Sequence, residues 1–347
     1  MSDYTISQIY PSDHRSLAQI DNLLGQEGIR RDANLDYVCA MYDENNQIIA
    51  TGSCFGNTLR CFAVSHTHQG EGLLNEIVTH LTEVQFQRGN VHLFVYTKIN
   101  ASKFFGDLGF YEIARIENRL VFMENRCQGF HKYLASLSKT KTAGKSAALV
   151  MNANPFTLGH QYLVEKAASE CDTLHLFIVS EDASLIPFSV RKKLVLDGVS
   201  HIPNIICHDS GPYIISNATF PSYFLKDEAD VIESHAKLDL SIFTKIAAVL
   251  SVTRRYVGEE PTSQVTGIYN HIMSSELSLA GIECVIVPRK QIAEQPISAS
   301  VVRQYIKDGR LEELSSLVPA ATLSYFKSPE ALPVIERIRS AGNVAHY

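Results

Sequence analysis

At 347 residues the chain is longer than one hydrophobic core usually encloses, so two domains are expected. It is 45% apolar and 20% charged, as globular proteins are, and its net charge of -6 gives no bulk attraction to nucleic acid or an anionic membrane. Cys39, Cys54, Cys61, Cys127, Cys171, Cys207 and Cys284 are scattered and form no CxxC pair; Met1-Ser2-Asp3-Tyr4 opens no signal segment, and no apolar run is long enough to span a membrane. A cytoplasmic chain with reduced thiols is therefore expected.

The first elements lie in residues 1–135. Asn57 to Val64 reads as a strand, then comes His66-Thr67-His68-Gln69-Gly70-Glu71-Gly72-Leu73-Leu74, and an apolar-periodic helix runs on through Leu81. Gly70 and Gly72 flank Glu71 just before that helix, where their N–H groups can face a pyrophosphate. This loop resembles the Q/R-x-x-G-x-G/A loop of the GNAT acetyltransferases, and Asn100-Ala101-Ser102-Lys103-Phe104-Phe105 with Leu108-Gly109-Phe110-Tyr111 resembles that fold's next motif. The resemblance implies a GNAT-like mixed-sheet domain. Gln69, Gly70 and Gly72 would then contact a CoA-like group, or the fold would persist without a ligand. Leu74 stands where the motif has Gly or Ala, which crowds the approach of a pyrophosphate. His66 and His68 lack further spaced ligands, so no metal site is assigned.

Residues 136–146 are polar and basic and read as a linker between separable halves. Gly144-Lys145-Ser146 is no P-loop, because Lys139 stands where that motif needs glycine. A second domain is expected over 147–335. Ala147 to Met151 reads as a buried first strand, Leu174 to Val179 and Cys284 to Val287 as further strands, Ile205 to His208 and Arg255 to Val257 as weaker ones, and Leu240 to Leu250 as a helix. The alternation predicts βαβ units around a parallel sheet, with ligands beyond the carboxyl ends of its strands.

Two motifs open helices there. After the first strand, Asn152-Ala153-Asn154-Pro155-Phe156-Thr157-Leu158-Gly159-His160 leads into a helical pattern from Gln161 to Ser169. Thr157 and His160 share a face at a helix start, where free N–H groups attract phosphate, and Gly159 permits close backbone approach. Far downstream, Ile297-Ser298-Ala299-Ser300-Val301-Val302-Arg303 places hydroxyls and a guanidinium at a second helix start, with Ser300 as expected N-cap and Gly309 as helix stop.

The first string resembles the T/HxGH motif of the nucleotidyltransferase superfamily and the second its ISxSxxR signature. Together with Phe188-Ser189-Val190-Arg191, Ser210 to Lys226 and Tyr256 to Asn270, they resemble the citrate (pro-3S)-lyase ligases along essentially the whole chain. The resemblance implies an α/β protein in which a GNAT-like mixed-sheet domain precedes a Rossmann-like parallel-sheet nucleotidyltransferase domain. It implies ATP and Mg2+ as cofactors, acetate as substrate activated to acetyl-AMP, and as partner the acyl carrier subunit of citrate lyase, whose CoA-derived thiol is acetylated. His160, Arg303 and Thr157 would be catalytic. Asn154, Phe156, Thr157, Gly159, His160, Arg191, Gly258, Glu259, Ile297, Ser298, Ser300 and Arg303 would bind ATP.

Some roles stay open. Arg191 either meets phosphate or belongs to a solvated basic face. Lys226 holds the acyl carboxylate or the α-phosphate, or only snorkels. Glu259 and Glu260 hold Mg2+ or ribose, or form an acidic turn. Ser184-Leu185-Ile186-Pro187 carries no basic residue, so the third basic contact to ATP is unassigned. Two other activities fit the same motifs: adenylylation of a phosphorylated metabolite, and acetyl transfer by the first domain with the second as a nucleotide sensor.

Overall fold

The computed structural model describes residues 4–214, 220, 223, 228–259, 264–292 and 295–344; Lys226 and Glu260 lie outside them. The chain divides into two compact units, Met1–Lys132 with Phe220–Leu238, and Tyr133–Thr219 with Asp239–Tyr347.

In chain order the first unit carries β1 (Thr5–Gln8), α1 (His14–Gln26), β2 (Tyr37–Tyr42), β3 (Ile48–Phe55), β4 (Thr58–Val64), α2 (Leu73–Gln87), β5 (Phe94–Thr97), α3 (Ile99–Asp107), β6 (Tyr111–Ile116) and β7 (Leu120–Glu124). The strands form one mixed sheet in the order β1-β2-β3-β4-β5-β7-β6. Neighbours are antiparallel except β4 and β5, which run parallel and pair only at Thr58–Phe94 and Leu59–Val95. β2 and β3 are buried along nearly their whole length because both faces are covered. On one face α1 lays down Leu17, Ile20 and Leu24, an apolar stripe at helical spacing, and Tyr223 joins that cluster. On the other, α2 packs Leu73, Ile77 and Leu81 with Phe105 and Phe110. A Cβ on Gly52 would stand 2.5 Å from Ile77 Cγ2, so glycine is what lets α2 lie this close to β3.

α4 (Gly129–Ser138) follows, then β8 (Ser146–Met151), α5 (Leu158–Ser169), β9 (Thr173–Ile178), α6 (Phe188–Val199), β10 (Ile205–Asp209), α7 (Glu228–Leu250), β11 (Val252–Gly258), α8 (Gln264–Leu279), β12 (Glu283–Val287), a small hairpin of β13 (Gln291–Ile292) and β14 (Gln295–Pro296), α9 (Ala299–Lys307), α10 (Ala320–Lys327) and α11 (Leu332–Ser340). The strand order β10-β9-β8-β11-β12, parallel throughout, reverses direction between β8 and β11. In parallel sheets such a reversal is where ligands bind, at the carboxyl edge, and here β8 runs into Asn152 and β11 into Glu259 at that edge. β9 is buried over all six residues, as a central parallel strand should be. A separate apolar cluster of Val302, Ile306, Phe326, Val334 and Ile338 ties α9 to α10 and α11.

Three boundaries differ from expectation. The stretch 136–146 is only partly a connector: Ser138 ends α4 and Ser146 begins β8. Phe220–Leu238, expected in the second domain, belongs to the first unit. Its anchor is Tyr223, nearly fully buried, whose main-chain oxygen accepts from Arg30 N–H at 2.8 Å and whose hydroxyl donates to the Tyr96 carbonyl at 3.3 Å. Ser298, not Ser300, caps α9; its Oγ accepts from Val301 N–H at 3.2 Å. Among the described residues no helix is long and apolar enough to cross a membrane.

Candidate active site

The turn from β8 to α5 is held by a reciprocal cap. Thr157 Oγ1 accepts from His160 N–H at 3.3 Å, and His160 Nδ1 accepts from Thr157 N–H at 3.1 Å. Histidine thus takes the place that Glu or Gln holds in an ordinary capping box. An Nδ1 that accepts a hydrogen bond carries no proton, so the neutral ring carries its proton on Nε2. Burial, with the like charges of Arg289 and Arg303 added, pushes His160 down to about 4, which keeps the ring neutral at physiological pH. Phe156 stacks beneath it at 5.9 Å and 13°.

The other N–H groups of the first turn are accounted for one by one. Leu158 N–H donates to the Leu317 carbonyl at 2.9 Å. Among the described residues neither Gly159 N–H nor His160 Nε2 meets a partner. Two neutral donors therefore remain at a helix start on the carboxyl edge of a parallel sheet, the setting in which phosphates bind.

The second motif meets the first through Gly159. A Cβ there would stand 3.1 Å from the Ile297 carbonyl oxygen, so glycine lets Ile297 lie this close without displacement. Ser298 and Ser300 face each other, Oγ to Oγ at 2.9 Å. Arg303 is buried; its Nε donates to the Val344 carbonyl at 2.7 Å and its Nη1 to the Asn154 carbonyl. Burial lowers this guanidinium to about 10, still charged at neutral pH.

Phe156 is 0% exposed, sits where a Cβ on Gly198 would be 2.5 Å from its ring, and forms a shelf beneath His160. Arg191 is also 0% exposed, so it is no solvated basic face. Its N–H groups donate to the carbonyls of Ile186 at 3.0 Å, Asn152 at 2.7 Å, Val179 at 2.8 Å and Glu181 at 2.5 Å. These bonds tie together the loops after β8 and β9. Asn154 is buried and its Oδ1 accepts from Ile186 N–H at 3.2 Å. Gly258 ends β11, and exposed Glu259 follows it, its N–H bonded to the Val287 carbonyl at 2.9 Å.

One group was missed from sequence. Arg289 and Lys290 follow β12 after Pro288, and Arg289 Nε donates to the Glu259 carbonyl at 2.8 Å. The signal available was the rule that residues just after each strand line the crevice.

The first unit holds a cavity of about 550 Å³ where β4 and β5 cease to pair, of the size that takes a cofactor or drug-sized ligand. Gln69, Gly70, Gly72 and Leu74 line it, as do Lys98 and Tyr223. Lys98 Nζ donates to the Glu27 carbonyl at 2.9 Å. Gly70 and Gly72 have φ of 93° and 81°, the left-handed region that favours glycine. Among the described residues His66 and His68 belong to no group of three residues able to hold a metal.

Residues 146–326 match a family model described as the citrate lyase ligase C-terminal domain. The chain is 38% identical over 330 residues to the citrate (pro-3S)-lyase ligase of Escherichia coli (strain K12), covering 93% of each chain. It is 36% identical over 323 residues to the enzyme of that name from Haemophilus influenzae, covering 91% of this chain and 96% of that one. Similar solved structures include the ribosomal-protein-S18-alanine N-acetyltransferase from Escherichia coli, with TM-score 0.29, 17% identity and coverage of 35% of this chain and 92% of that one. Another is Escherichia coli ElaA, with TM-score 0.31, 11% identity, and coverage of 35% and 99%.

Proposed function

The chain belongs to the citrate lyase ligase family, and from that premise we propose that it activates acetate with ATP and passes the acetyl group to a protein-borne thiol. A carboxylate oxygen of acetate attacks the α-phosphorus of ATP, the bond to the bridging oxygen of the β-phosphate breaks, and pyrophosphate leaves acetyl-AMP. The thiolate sulfur then attacks the acetyl carbon, the acyl–phosphate C–O bond breaks, and AMP leaves. The acceptor is the CoA-derived group on the acyl carrier subunit of citrate lyase.

The observation that carries this reading is the pair of donors at the α5 start. Gly159 N–H and His160 Nε2–H are neutral, fixed by the reciprocal cap, and need no reorganisation as charge builds on the phosphates. Thr157 orients His160. Arg303 adds positive charge while holding the Asn154 carbonyl. Phosphoryl transfer needs such positioning and charge neutralisation more than covalent help. Mg2+ bound with ATP would neutralise the β- and γ-phosphates. Exposed Glu259 at the carboxyl end of β11 suits an ion that keeps most of its waters, and water and phosphate would supply the other ligands. In the first unit the cavity would seat the carrier's CoA-like arm beside Gly70 and Gly72.

The test is a single-turnover reaction with labelled acetate, ATP and thiol-bearing carrier. The reading predicts acetyl carrier, AMP and pyrophosphate in equal amounts, and acetyl-AMP when carrier is omitted. Product formation that requires a phosphorylated metabolite instead of acetate would favour the plain adenylylation reading. Acetyl transfer from acetyl-CoA without ATP would favour the acetyltransferase reading.

A further inference from the structure

We propose that Thr322 is a positioning residue for His160, acting through the peptide group that joins Phe156 to Thr157. This rests on the ATP-dependent reading above. Thr322 lies in α10, is 0% exposed, and its Oγ1 donates to the Phe156 carbonyl at 3.0 Å. That carbonyl and the Thr157 N–H belong to one planar unit, so fixing one end fixes the other. The other end is the N–H that donates to His160 Nδ1 at 3.1 Å and leaves the ring's proton on Nε2. A carbonyl that accepts a hydrogen bond also makes the N–H of its own peptide a better donor. A hydroxyl far along the chain thus acts on both the plane and the strength of the bond that sets the histidine tautomer.

The loop needs holding from outside. Ala153 has φ 53°, in a region that residues other than glycine rarely adopt. Main-chain groups on either side of the Phe156–Thr157 peptide are gripped as well. Arg191 Nη1 donates to the Asn152 carbonyl at 2.7 Å, Arg303 Nη1 to the Asn154 carbonyl, and Leu158 N–H to the Leu317 carbonyl at 2.9 Å. Replacing either arginine also removes a charge, and Leu317 acts through its main chain, which no substitution deletes. Thr322 is neutral and acts through its side chain, so it isolates position from charge. The Phe156 ring stacks beneath His160 at 13°, so the same hydroxyl also steadies that shelf.

The competing role is packing alone, the burial of one more side chain between α10 and the loop. Three variants of the full chain separate the two. Thr322→Val keeps the shape and removes the hydroxyl; Thr322→Ser keeps the hydroxyl and removes a methyl; Thr322→Ala removes both and replaces Val in the comparison if Val does not fold. In acetate-dependent ATP–pyrophosphate exchange, Val is expected to lower kcat by roughly 3- to 10-fold, the range a neutral hydrogen bond covers. Ser should stay within about twofold of wild type although it melts lower for the lost methyl. Nitrogen-15 NMR of His160, recorded without ATP, should show the Nδ1 resonance of Val moved towards that of an unbonded imidazole nitrogen, and that of Ser in place. Ser as slow as Val, exchange rates that follow melting temperature across the variants, or an Nδ1 resonance in Val equal to wild type would each overturn the proposal. The NMR comparison needs no ATP, so it still decides the role of Thr322 if wild-type protein shows no acetate-dependent exchange, a result that would sink the ATP reading alone.

Discussion

Between β4 and α2 the chain turns on glycines; between β8 and α5 it turns on a threonine and a histidine. Both turns lead from a strand into a helix whose start can receive an anion. Gly72 caps α2 at φ 81° with no side-chain hydrogen bond, and a cavity of about 550 Å³ lies against it. Thr157 and His160 cap α5 with two side-chain bonds, and the Ile297 carbonyl packs against Gly159. The glycine turn offers main chain and room, which suits holding a long arm. The capped turn offers fixed donors, which suits stabilising charge that appears only as a bond breaks.

The largest effect is expected at the capped turn. His160→Ala should lower acetate-dependent pyrophosphate exchange by roughly 10²-fold or more while the protein stays folded. Near-normal exchange in a folded variant would remove His160 from the site.

Cutting the chain tests whether the two turns work independently. A fragment of residues 144–347 lacks the strands that bury Tyr223 and Phe220, which belong to the first unit. It should therefore aggregate or fail to fold cooperatively, as seen by gel filtration and melting. A monomeric, active fragment would show that the second unit folds and works even when Phe220–Leu238 lacks the rest of the first unit.

At the glycine turn the effect is smaller and falls on a different step. No atom lies within 4 Å of a Cβ on Gly72, so Gly72→Ala costs backbone strain at φ 81° of about 1 kcal/mol and no clash. Lys98→Ala leaves the backbone alone. Both should raise the KM for carrier severalfold and leave pyrophosphate exchange intact; a fall in exchange would show that the cavity serves the first reaction.

The smallest effect is on stability and belongs to the second unit alone. His175 Nδ1 and His208 Nε2 are 2.9 Å apart in the interior, and burial, with His175 beside it, pushes His208 down to about 4 from the usual 6.5. The folded state refuses a proton that the unfolded chain accepts. Stability from this source is full above about pH 6.5 and falls as pH drops towards 4. His208→Gln should flatten that part of the melting-temperature profile; an unchanged slope would assign acid sensitivity elsewhere.

How far the sequence carried depends on where the information sits. That Thr157 and His160 sit together at a helix start was legible because residues three apart meet on one helix face. The parallel sheet was legible from runs such as Leu174 to Val179, whose strand spans Thr173–Ile178. The choice of Ser298 over Ser300 as cap was not, since both are serines and only the backbone decides. The burial of Phe156 and Arg191 was not legible, because motif strings do not distinguish an exposed side chain from one enclosed in the wall. The transfer of Phe220–Leu238 to the first unit was hidden because apolar and aromatic residues do not announce which core receives them. Arg289 was within reach, being the first charged residue after a predicted strand, but lay outside every string that carried the resemblance.

The central claim is that the α5 start presents a neutral His160 with its proton on Nε2. Nitrogen-15 NMR of the imidazole tests it directly. The account predicts an Nε2–H tautomer with Nδ1 unprotonated, titration near 4, and a shift of the Nε2 resonance when ATP is added. A ring protonated on Nδ1, titrating near 6.5 and indifferent to ATP, would contradict it.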